Sequence, residues 1–371
     1  MPIDPKTWTR EEIERHSVDM RQFIDFRQST LPNGMRIIEA YNSSGLTFTI
    51  LPDRGLDIWT AHYKGIPLTW ISQGSPHPPD FGQTWLQQFN GGLLTTCGLT
   101  HVGPGEKDDL TSEWRDLHGR YSRLKAGDVS IERKGWIGEA NSQYILRLSA
   151  VVVDASLFGE QLQLKRTYEI ALDSLVITIM DEVTNLGDNP SPLMILYHFN
   201  FGYPLIAHGT RLYTDYEAVY PRDAVARVGI ENWALYDAAT PKYEEQVFFH
   251  HLRGNRTQIA LIREDSELGI LLTWDTDNRL PYFTQWKNTR QGIFVCGLEP
   301  GNCIPEGQNA ARKSGRLQLL EPGESIFFFN ALSIMENRGV QNWHEINSKR
   351  PQFKPIEGCH LDDYAQFAQQ E

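Results

Sequence analysis

Between Gln161 and Ile170 apolar and polar residues alternate along the chain. Leu162, Leu164, Tyr168 and Ile170 fall on one face, and Gln161, Gln163, Lys165, Thr167 and Glu169 on the other. That period of two marks an antiparallel strand with one buried and one wet face. Leu175, Ile177 and Ile179 repeat the pattern after the short segment Ala171-Leu-Asp-Ser174, which predicts a hairpin. Further strands are predicted at 47–51, 144–153, 194–197, 269–274, 292–296 and 316–320. Turn residues punctuate them: Pro-Asn-Gly at 32–34, Gly-Asp-Asn-Pro at 187–190 and Glu-Pro-Gly-Glu at 321–324.

Strands do not alternate with 10–15-residue helical patterns, which argues against a parallel α/β sheet and for an all-β fold, a large antiparallel β-sandwich. The one helix signal is near the start. Thr9-Arg-Glu-Glu12 fits a capping box, and Ile13, Met20, Phe23 and Ile24 continue an apolar face at helical spacing. The expected organisation is therefore a short helical extension over residues 1–30, one sandwich domain over 31–342, and a C-terminal tail over 343–371.

Composition narrows the functions. The chain has 371 residues, 40% hydrophobic and 22% charged, enough to bury a full-size core. A net charge of −12 with scattered basic residues offers no footprint for nucleic acid and disfavours an anionic membrane surface. The amino end lacks a signal-peptide core, and no run reaches the roughly 20 apolar residues of a membrane-spanning helix. Cys97, Cys296, Cys303 and Cys359 show neither disulfide-scaffold nor zinc spacing. The expectation is a cytoplasmic protein with reduced thiols.

Candidate chemistry concentrates in four stretches rich in Gly, Asn, His and aromatic residues. They are Leu51-Pro-Asp-Arg-Gly-Leu-Asp-Ile58; the run from Asn90 to His101 leading to Asp116-Leu-His-Gly-Arg120; Leu196-Tyr-His-Phe-Asn-Phe-Gly-Tyr-Pro204; and Gln285-Trp-Lys287 followed by Cys296-Gly-Leu-Glu-Pro-Gly-Asn302. Neither a Gly-Lys-Ser/Thr phosphate loop nor a Gly-x-Ser-x-Gly elbow is present. The adjacent His250 and His251 project to opposite faces of a strand, a poor metal-binding geometry.

Three of these stretches resemble segments of the aldose 1-epimerases, the galactose mutarotases. Tyr-His-Phe-Asn-Phe at 197–201 is similar to their histidine-bearing strand end, and Gly-Leu-Glu-Pro-Gly-Asn at 297–302 to their catalytic-glutamate segment. Leu-His-Gly at 117–119 matches a further element, with Arg120 where the family has a second glycine. The order along the chain is also the family's. Asp-Arg-Gly-Leu-Asp-Ile and Leu-His-Gly-Arg point to a divergent branch.

The resemblance implies a mutarotase-type sandwich and interconversion of sugar anomers by acid–base ring opening. A base takes the C1 hydroxyl proton while an acid protonates the ring oxygen, and the roles reverse on closure. It implies a small-molecule carbohydrate partner and neither metal nor other cofactor. Glu299 is then the base and His198 the acid, with Glu299 ionised and its charge raising the His198 pKa. His118 would hydrogen-bond the ring or C1 oxygens, and Arg54, Arg120, Gln285 and Lys287 are candidate substrate binders. The family also grips sugar hydroxyls with an Asp, for which Asp223 and Asp215 are both candidates. Trp85, Tyr203, Tyr282 and Trp286 are candidate stacking platforms. Arg120 and Lys287 add positive charge that a neutral sugar does not require, which suits an anionic sugar; the alternative is that they pair within the fold. Two other functions stay open on the same fold: a non-catalytic carbohydrate-binding protein, and a lyase or hydrolase, the latter needing a second carboxylate opposite Glu299.

Overall fold

The computed structural model describes residues 4–348 apart from 75, 139–142, 254–256, 266 and 275–278. Every strand pairing in its large sheets is antiparallel. Five strands (Asp25–Thr30, Arg36–Tyr41, Leu46–Leu51, Asp57–Tyr63 and Ile66–Pro67) form a meander. An eight-stranded sheet contains the predicted hairpin, whose arms Gln161–Ala171 and Val176–Asn185 pair Tyr168 with Ile179. A seven-stranded sheet carries the candidate chemistry. Its centre runs Gln246–Leu252, Tyr282–Asn288, Val295–Gly301 and Ser191–Gly202, with Leu94–Leu99 pairing on the last of these.

The alternation read from the sequence decides which face is buried. Leu162, Leu164, Tyr168 and Ile170 are each no more than 2% exposed and join Ile195, Tyr197, Phe199, Phe201 and Leu298 of the seven-stranded sheet in one apolar cluster. The same parity carries Arg166 inward. It is fully buried and pairs with Asp181 and Asp57 at 2.7 Å each, donates to the Thr96 hydroxyl, and lies near the rings of Tyr121, Tyr168 and Tyr197. Asp57, from the Asp-Arg-Gly-Leu-Asp-Ile stretch, is thus a structural partner of a buried guanidinium, and burial pushes its carboxyl up to about 6 against the pull of Arg166.

Two boundaries differ from expectation. The capping box is present, but its helix covers only Arg10–His16, and a strand begins at Asp25. The Pro-Asn-Gly turn has strand on both sides, so Phe26 packs into the core as a sandwich residue. At the other end a helix, Arg338–Ser348, crosses the expected limit at 342, because Val340 and Trp343 pack on Ala260, Ile262 and Met335. Residues 349–371 of the tail, with Cys359, lie outside the described residues.

Candidate active site

The strand Ser191–Gly202 sends Ile195, Tyr197, Phe199 and Phe201 into the core, so His198 projects from the opposite face. The neighbouring strand Val295–Gly301 is in register with it, Phe199 facing Leu298 and Asn200 facing Gly297. His198 and Glu299 are therefore cross-strand neighbours on that face. His198 Nε2 lies 3.1 Å from Glu299 Oε1, and both side chains are more than nine-tenths buried. Gly297 shares the face because nothing larger fits: a Cβ there would stand 2.8 Å from Glu299 Oε1 and 3.1 Å from His198 Cε1.

Burial opposes charge on both members of the pair. It pushes Glu299 up to about 8, with the carboxylate of Glu245 adding to the rise and Arg222 opposing it. It pushes His198 down to about 4. The expected ionised Glu299 beside a raised His198 is thus reversed. Desolvation disfavours the charged form of both members of the pair.

The two residues open into a cleft of about 480 Å³. His118 joins them, its ring centroid 6.3 Å from that of His198. It sits at φ +55° in a tight turn whose following residue, Gly119, approaches the Gly98 carbonyl too closely for any side chain. Burial takes its pKa down to about 3, which favours the neutral ring. The Nδ1 atoms of His118 and His198 are buried and have no partner among the described residues. Aromatic walls complete the site. Phe89 and Trp286 flank His198 at 5.7 and 5.5 Å, and Trp85 stacks on Phe89 at 4.4 Å.

Of the four expected platforms, Trp85 and Trp286 line the cleft, whereas Tyr203 is 72% exposed and Tyr282 packs in a separate apolar cluster. The other expected binders are elsewhere. Gln285 and Lys287 occupy the wrong parity of their strand: Thr284 and Trp286 face the cleft, and their neighbours face away. Gln285 is fully buried among His250, Trp233 and Tyr236, and the Lys287 amine donates to the carbonyls of Asn232 and Leu235. Arg54 is buried and donates to the carbonyls of Ser122 and Gln88, bracing the loop that presents Trp85 and Phe89. Arg120 pairs with Asp154 at 2.5 Å and lines a different cavity. Asp223 caps the helix Ala224–Val228 by accepting from Ala226 N, and neither it nor Asp215 lines the cleft.

Two charged residues not singled out from the sequence do line it, Arg222 and Glu245. Glu245 accepts from Trp286 Nε1 at 2.8 Å and from Arg222 at 3.2 Å. Only the strand register, which pairs Val247 with Trp286, brings them to the site. Among the described residues no group of three His, Cys, Asp or Glu side chains is arranged to hold a metal ion.

A family model described as a domain of unknown function, DUF4432, matches residues 32–334. The chain belongs to the DUF4432 family. No curated protein matches its sequence significantly. Solved structures place the DUF4432 chain in the galactose mutarotase-like fold. A Klebsiella pneumoniae protein provisionally described as an aldose 1-epimerase aligns with a TM-score of 0.80 at 24% identity, over 89% of this chain and 88% of the other. A galactose mutarotase-like protein from Clostridium acetobutylicum gives 0.58 at 14% identity, over 85% and 100%. Galactose 1-epimerase from Lactobacillus acidophilus gives 0.54 at 12%, over 85% and 99%. The architecture implied by the sequence motifs is the one the DUF4432 chain adopts. No described helix is long and apolar enough to cross a membrane.

Proposed function

We propose that this protein is an aldose 1-epimerase-type isomerase that interconverts the α and β anomers of a sugar bound between Trp85, Phe89 and Trp286. The observation that carries this reading is the approach of Glu299 and His198 to 3.1 Å at the floor of an aromatic cleft, where burial raises the carboxyl pKa and lowers that of the imidazole. A passive binding site has no use for such a pair, whereas anomerisation needs an acid and a base together.

With the proton on Glu299, the carboxyl group delivers it to the ring oxygen while neutral His198 accepts the proton of the C1 hydroxyl. The ring C1–O bond breaks and the C1–O1 bond becomes a carbonyl. Rotation about the C1–C2 bond presents the other carbonyl face, and closure returns both protons by the reverse path. Neutral His118 hydrogen-bonds a sugar oxygen beside His198. The roles thus start exchanged from those the sequence motifs imply, and microscopic reversibility makes each group serve as both acid and base over a full cycle. The site is cytoplasmic in this reading, and the partner is a small-molecule carbohydrate.

The test follows freshly dissolved anomers by polarimetry or NMR exchange across a panel of aldoses. Glu299→Gln and His198→Asn should each lower kcat by about 10²–10⁴-fold while sugar affinity falls much less. Variants that equilibrate an accepted sugar as fast as the parent would refute the acid–base assignment. A parent protein that binds a sugar yet accelerates no anomer exchange would establish a binding protein instead.

A further inference from the structure

The charge lining the cleft is unevenly built. Among the described lining residues Arg222 is the single Lys or Arg, and its guanidinium is already committed. Its Nε donates to Asp223 at 2.8 Å and its Nη2 to Glu245 at 3.2 Å. The second oxygen of Glu245 is held by the Trp286 indole N–H at 2.8 Å. Three separate elements fix this group: Arg222 follows the strand Tyr216–Pro221, Glu245 precedes Gln246–Leu252, and Trp286 lies within Tyr282–Asn288. One positive charge therefore stands between two carboxylates. The cations on which an anionic sugar would depend, Arg120 and Lys287, are spent outside the cleft on Asp154 and on backbone carbonyls.

We propose that the Arg222–Glu245–Trp286 group makes the cleft selective for uncharged sugars and turns away sugars bearing a carboxylate or phosphate. The proposal rests on the reading that the cleft takes a sugar. A hydroxyl can donate to Glu245 and accept from a remaining N–H of Arg222 without breaking either existing bond, so neighbouring hydroxyls of a neutral sugar suit the pair. An anion must displace Glu245 from Arg222 or lie against two carboxylates, and both routes cost interaction energy. The side chains of Arg222 and Glu245 are 40% and 46% exposed, so water and salt screen the effect.

The test compares D-galactose with D-galacturonate and D-glucose with D-glucuronate, at low and high salt. Binding is read by calorimetry or saturation-transfer NMR, and turnover by anomer exchange. The neutral member of each pair should be favoured about tenfold, less at high salt. Glu245→Gln leaves Arg222 paired with Asp223 alone and should bring the ratio towards one; Arg222→Gln removes the cation and should widen it. A uronate bound as well as or better than its neutral parent by the unaltered protein overturns the proposal, as does a ratio that neither variant moves. Sugars that bind with the expected preference but show no catalysed exchange sink the isomerase reading and leave this one standing. Exchange with uronates preferred does the reverse, and no binding of any of the four sinks both.

Discussion

Glu299 and His198 each pay for burial with a displaced pKa, and the two displacements are opposite in sign. Burial pushes the Glu299 carboxyl up to about 8 and the His198 imidazole down to about 4. Between those limits the pair carries one proton, the form that can donate and accept in the same turnover. In the proposed reaction, His198 protonated below that range would have no lone pair for the C1 hydroxyl, and Glu299 ionised above it would have nothing to deliver. The pH profile of kcat/KM should therefore be a bell with a broad plateau and limbs near about 4 and about 8, limbs that belong to the pair as a unit. A profile that falls through 6.5, as an ordinary imidazole titrates, would contradict the burial argument. Gly297 makes this closeness possible, since a methyl group there would press on both partners at once.

At the scale of elements, the parity of one strand sorts the site. In Tyr282–Asn288, Thr284 and Trp286 face the cleft while Gln285 and Lys287 face inward, although the last three lie within one short motif. Lys287→Met should leave the preference between neutral and anionic sugars unchanged. It should lower thermal stability, because the carbonyls of Asn232 and Leu235 lose their donor, a loss of about 1–3 kcal/mol. Trp286→Leu should do the opposite, cutting kcat/KM by removing a platform and the tether of Glu245. Thermal melts and anomer-exchange rates on both variants check the pair.

The same parity explains what was legible in the sequence. The hairpin at 161–185 has one wet face, so its alternation is visible, and even Arg166 could be assigned to the inner face by counting. In the seven-stranded sheet both faces are covered. The strand Ser191–Gly202 is buried almost throughout, and its apolar run hides which residues look into the core. His198, Glu299 and His118 were recoverable because they sit in recognisable motifs. Arg222 and Glu245 were not, because only strand pairing between distant segments brings them to the cleft. Arg54, Arg120 and Lys287 share their residue type with true binders, and nothing local distinguishes a cation aimed at a ligand from one that braces a loop.

At the scale of the whole molecule, one apolar cluster runs from Ile13 to Ile334 and draws on all three large sheets. The Arg166 network crosses it, tying Asp57 of the meander to Asp181 of the eight-stranded sheet and, through the Tyr197 hydroxyl, to the residue beside His198. We expect these layers to melt together. Far-ultraviolet circular dichroism and tryptophan fluorescence should report one coincident thermal transition, and two separated ones would show that the meander and the large sheets are independent units. A continuous core also means that the floor of the cleft cannot loosen without the rest.

Glu299 and His198 stand on adjacent strands of that floor. Their backbones are held at the interstrand spacing of about 4.8 Å, a distance set by the peptide hydrogen bond rather than by either side chain. The proton-handling pair thus has a built-in ruler that no loop rearrangement can stretch. Trp85, Phe89 and His118, by contrast, come from connecting segments outside the sheet's ladder. Trp286 is the wall mounted on the sheet itself, so a descendant of this chain could exchange Trp85 or Phe89 without disturbing the pair beneath them.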